Sequence, residues 1–92
     1  MAELNIEVRD LPEVDFKGTG KKIKEQMKRC RMDHFDLALL LRMRTTSSIY
    51  AWTQGRHIPN SEYLLQLANI FGCQMEDLLA IKGEYNEDEY DI

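Results

Sequence analysis

The stretch from Asp33 to Gly55 constrains this chain most. It holds two short apolar-patterned segments, residues 35–41 and 46–54, joined by a tight link of arginine, methionine and threonine. Helices shorter than about 12–15 residues are marginal in water on their own. Such a pair is therefore stable only as the middle of a compact helical bundle, and it leaves one helix edge free to meet a partner. A chain of 92 residues allows one domain with a modest core. No charged start leads into an apolar run, so no signal peptide is expected. The longest apolar run, Leu37 to Leu41, falls far short of a membrane span, and a cytoplasmic protein is expected.

The flanking sequence supplies the rest of the bundle. Residues 1–16 begin with Leu4, Ile6 and Val8 alternating with polar residues, a period of two that suits a short strand or extended arm. Lys17-Gly18-Thr19-Gly20-Lys21 resembles a phosphate loop only superficially, because Asp15 stands where that motif needs glycine. Thr19 is read instead as the N-cap of a first helix over about 20–31, with Ile23, Met27 and Cys30 facing inward. Asp33 caps the second helix, whose Leu37, Ala38 and Leu41 form the inward face. Phe35 and Leu39 make an apolar pair on another face, covered either by the N-terminal arm or by a second copy.

The third helix, over about Thr46 to Gln54, is the most informative. Its wheel places Ile49 and Trp52 on a core face with Ser48 beside them. Thr46, Ser47, Tyr50 and Gln54 share an outward arc. Gly55 stops this helix, and Arg56 and His57 follow in the loop beside the arc. Asn60 or Ser61 caps a fourth helix, in which Leu64, Leu67, Ala68 and Phe71 keep a regular apolar spacing up to Gly72. A fifth helix is expected over about 75–81. The acidic remainder, 83–92, reads as a disordered tail.

Charge sharpens the reading. The net charge of −4 conceals acidic ends and a basic middle. From Lys17 to Arg56 there are ten bases against Glu25, Asp33 and Asp36, and no acid occurs from Arg42 to Ser61. Local field rather than whole-chain charge governs docking to phosphates, so the acidic total leaves nucleic acid open as a partner. Cys30 and Cys73 read as buried free thiols. With His34 and His57 they make no ligand spacing, so neither a metal nor a cofactor is expected.

Taken together, Leu37-Ala38, Leu41, Met43, Ile49, Trp52, Gly55, Pro59, Leu64, Leu67-Ala68, Phe71-Gly72 and Leu78-Leu79 resemble the Cro and lambda-repressor-like (XRE-type) helix-turn-helix superfamily. The resemblance covers residues 20–81, with Arg42 standing where members of that family commonly have glycine. It implies an all-α, five-helix lambda-repressor-like bundle over residues 17–82, flanked by an arm over 1–16 and the acidic tail. It further implies a repressor-like transcriptional regulator that acts as a homodimer on double-stranded DNA, with the third helix in the major groove. Arg44, Ser47 and Tyr50 would then meet bases, while His34, Thr46, Gln54, Arg56 and His57 hold the backbone, with Thr45 also among the DNA-binding residues. The alternative is a protein-interaction module, such as an antitoxin or anti-repressor, on the same fold. Neither reading makes the chain an enzyme or gives it a small-molecule ligand, because no catalytic constellation stands out.

Overall fold

A computed structural model describes residues 11–83. The arm's alternating residues at 4–8 and most of the acidic tail lie outside the described residues. The fold is all-α. Its helices are α1 (Phe16–Arg29), α2 (His34–Leu40), α3 (Ser47–Thr53) and α4 (Ser61–Phe71), followed by a single 3₁₀ turn at Met75–Leu78. Among the described residues there are thus four α-helices rather than five. The fifth shrinks to one turn because Leu79 already takes an extended backbone, after which Ile81 pairs in an antiparallel bridge with Val14.

α1 starts earlier than the glycines suggest. Asp15 is its N-cap, accepting from the Gly18 N–H at 3.0 Å, and the helix runs straight through Gly18-Thr19-Gly20. Thr19 caps nothing. It is buried within the helix, and its Oγ1 accepts the Ala80 N–H at 3.0 Å. The glycines sit where neighbours come closest. A Cβ on Gly18 would lie 2.7 Å from the Ala80 Cβ, and one on Gly20 would lie 2.5 Å from the Trp52 carbonyl oxygen. The usual helix-weakening effect of glycine is outweighed here by the close approach of α3 that it permits.

The other starts follow local chemistry. Asp33 and Asp36 form a reciprocal capping box on α2, and Asn60 Oδ1 accepts the Tyr63 N–H at the start of α4. Three helices end in the same two-bond closure. After α2, Met43 N–H reaches Ala38 O at 2.8 Å and Arg42 N–H reaches Leu39 O at 3.2 Å. That closure needs a left-handed residue. Gly55 supplies it after α3 with φ 77°, but Arg31 and Arg42 adopt it at 57° and 59° after α1 and α2.

The core gathers one face of every element. Ile23, Leu37, Ile49, Leu67 and Leu78 are fully buried, with Met27, Trp52, Leu64 and Phe71 packed around them. Trp52 meets Tyr63 at 5.4 Å between ring centroids. Arg29 ties the ends of α1 and α4 together by donating to Phe71 O at 2.6 Å. In α3 the third core position is Thr53 rather than Ser48, which is exposed. No helix among the described residues is long and apolar enough to cross a membrane.

Candidate anion-binding edge

The outward side of α3 forms one wall of an open cleft of about 500 Å³, lined by Thr46, Ser47, Ser48, Tyr50, Ala51, Arg56 and His57. The loop after α3 folds back to make the other wall. Arg56 N–H and His57 N–H both donate to Ala51 O, at 2.9 and 3.3 Å, which sets these two side chains beside the helix. No carboxylate lines the cleft. Its chemistry is hydroxyls, a guanidinium and an imidazole, a set that favours an anion with several oxygens.

The sequence-derived residues divide into three groups. Ser47, Tyr50, Arg56 and His57 come together in the cleft, while half-buried Thr46 forms its lip. Arg44 and Thr45 lie in a second, apolar groove of about 340 Å³ with Phe35, Ala38, Leu39, Met43 and again Thr46. His34 and Gln54 line neither. Gln54 is the α3 C-cap, and His34 stacks on Tyr50 with ring centroids 3.9 Å apart and planes 7° from parallel.

Half-buried His34 is bonded within the fold. Its Nε2 lies 2.9 Å from Thr53 Oγ1, and the Thr53 hydroxyl donates to Tyr50 O at 3.3 Å. With the hydroxyl proton so used, Oγ1 is left to accept, which assigns the Nε2–H tautomer to His34. Burial holds the His34 pKa below its ordinary value. Lys24 adds to that depression, and Asp33 opposes it. A helix wheel shows that His34 and Tyr50 point outward from their helices. It does not show that the two outward directions meet.

The cysteines take no part in this edge. Both are free and half-buried. The Cys73 thiol is pushed up by burial and by Asp77, against the pull of Arg29, and Cys30 adds a smaller push in the same direction.

Neither a protein-family model nor a curated protein sequence matches the chain. Solved structures do. The chain is similar to hydroxypropylphosphonic acid epoxidase from S. wedmorenis at 25% identity, over 72% of this chain and 35% of that one, with a TM-score of 0.60. It is likewise similar to FeII HppE at 25% identity, over 82% of this chain and 40% of that one, with a TM-score of 0.64. For CoII HppE in complex with substrate the figures are 25%, 80%, 41% and 0.63. The chain spans about two-fifths of the epoxidase chains it matches.

This finding corrects the functional expectations drawn from the sequence. The similar structures are of an epoxidase, a substrate-binding enzyme, and not of a helix-turn-helix regulator. The XRE-type resemblance, the DNA-binding repressor or regulator, the antitoxin-like alternative, the dimer on double-stranded DNA and the non-enzymatic reading are all overturned with it. So is the expectation that no small molecule binds. The physical reason lies in which residues carried the resemblance. Leu37, Ala38, Ile49, Trp52, Leu64, Leu67 and Phe71 are core, and Gly55 and Gly72 end helices. Such residues specify a bundle and do not say what its exposed edge meets.

Two of these similar structures hold FeII or CoII. Among the described residues no three His, Cys, Asp or Glu side chains converge into a set able to hold a metal ion. Residues 11–83 therefore do not fit a metal centre of that kind.

Proposed function

We propose that this chain is the helical unit of an enzyme of the HppE kind, and that its part is to receive a phosphonate-bearing substrate on the acid-free edge of α3. The likeness to the FeII epoxidase over 82% of the chain is the observation that carries this reading. The cleft chemistry agrees with it. A phosphonate presents three oxygens, and Arg56 offers a planar fork of donors while Ser47, Ser48 and Tyr50 offer hydroxyls. Any metal ligands belong to groups outside residues 11–83, so this unit binds and orients while chemistry at a metal is supplied from elsewhere. Its folded body takes in the sequence-expected residues 17–82 and reaches back to Val14, which pairs with Ile81, and two free thiols suit the reducing cytoplasm.

The test is a titration of the purified chain with hydroxypropylphosphonate, followed by amide chemical shifts. Shifts confined to residues 46–57, with affinity falling at least about tenfold in Arg56→Gln, support the proposal; a charge-assisted contact is worth about that much. A spectrum unmoved at several millimolar ligand refutes it.

A further inference from the structure

The apolar groove beside the cleft is the second unexplained surface. Phe35 and Leu39 are each 63% exposed, although both are large and apolar and sit one turn apart on α2. Buried Ala38 and half-buried Met43 line the groove with them, together with exposed Arg44 and Thr45. Thr46 lines both the groove and the polar cleft, so the two border one another at a single residue, the N-cap of α3. Ligand grooves and interfaces commonly use apolar surface bordered by polar residues.

We infer that cleft and groove are two ends of one site for an amphiphilic anion, whose charged head lies beside Arg56 and whose alkyl tail crosses Thr46 into the Phe35–Leu39 groove. Charge decides the polarity of the ligand. No acid occurs from Arg42 to Ser61, and that span contributes to both recesses. A cationic head would find no counter-charge in either. A wholly polar anion would leave Phe35 and Leu39 in water. An alkylphosphonate of about six carbons satisfies both halves, since each buried methylene tightens binding by about fourfold. The inference rests on the phosphonate reading above and extends it from head to tail.

The experiment compares methylphosphonate with hexylphosphonate on the full chain, with dissociation constants taken from amide shift titrations. Hexylphosphonate should bind on the order of a hundredfold more tightly, as three to four buried methylenes imply, and should move the amides of Phe35, Leu39 and Met43. Leu39→Gln, an exposed change on a helix surface, should erase most of that gain and leave methylphosphonate affinity unchanged. Equal affinity for the two ligands, or a gain that survives in Leu39→Gln, overturns the inference while methylphosphonate binding still upholds the phosphonate reading. Failure of both ligands to bind removes both. Concentration-dependent shifts at Phe35 and Leu39 without ligand would assign the groove to a second copy and likewise overturn the inference.

Discussion

Replacing Gly20 with alanine sets two known effects against each other at one position. Alanine is the better helix former, by about 1 kcal/mol in a helix interior. Against this stands the backbone of α3. The added methyl carbon would lie 2.5 Å from the Trp52 carbonyl oxygen, 2.8 Å from that of Thr53 and 3.1 Å from the Thr53 carbonyl carbon. Folded proteins essentially never bring a Cβ within 3.0 Å of another heavy atom, so α1 and α3 must part by about 0.5 Å, the difference between 3.0 and 2.5 Å. The obstructing atoms are main chain and cannot swing aside. The gap would open between Ile23 and Met27 on one side and Ile49 and Trp52 on the other, all buried. A gap of that size forfeits about a quarter or more of the contact energy across it. Overpacking costs about 1–3 kcal/mol, and a rigid obstacle places this case near the upper end. The net expectation is a loss of about 2 kcal/mol, seen as a melting temperature about 8–16 °C lower. Urea and thermal unfolding followed by circular dichroism measure it. A Gly20→Ala protein as stable as the parent, or more so, would mean that propensity wins and that α1 and α3 are not in backbone contact.

Three further perturbations have definite signs. Arg42 holds φ 59° in the α2 closure, so Arg42→Gly should raise stability by about 0.5–1 kcal/mol, the relief of left-handed strain less the extra freedom glycine gains when unfolded. A lower denaturation midpoint for that variant would contradict the closure described. Thr19→Val removes the acceptor for the Ala80 N–H and should cost about 1–3 kcal/mol, whereas Thr19→Ser should cost less. Equal losses in the two variants would show that the hydroxyl does not matter. The His34 pKa is depressed in the folded state, so the unfolded chain binds this proton more readily. Stability from this group is complete above the unfolded value of about 6.5 and declines as pH falls through it, levelling off below the folded value. His34→Gln should flatten that part of the stability–pH curve, and an unchanged curve would remove His34 from the account.

Which of these features could be read in the sequence depends on how local their physics is. Asp33, Asn60 and Gly72 act on backbone groups within a few residues, and their roles are visible in the chain alone. The apolar spacing of α4 is visible for the same reason. Asp15 is a less obvious cap because Gly18 and Gly20 follow it and look like helix breakers. Only the approach of Ala80 and α3 explains them. The stack of His34 on Tyr50 joins residues sixteen apart on two helices, and no periodicity encodes it. The acid-free arc of Ser47 and Tyr50 is legible as an outward polar edge, expected from the sequence to be an edge for DNA. What such an edge meets is not legible, because hydroxyls and arginine serve any phosphate-like group alike.

Calorimetric or shift titration of hydroxypropylphosphonate against the chain and its Arg56→Gln variant tests most directly whether the α3 edge binds a phosphonate oxyanion. Saturable binding by the parent that weakens at least about tenfold in the variant is the predicted result. No saturable binding by the parent, or identical curves for the two proteins, would contradict it.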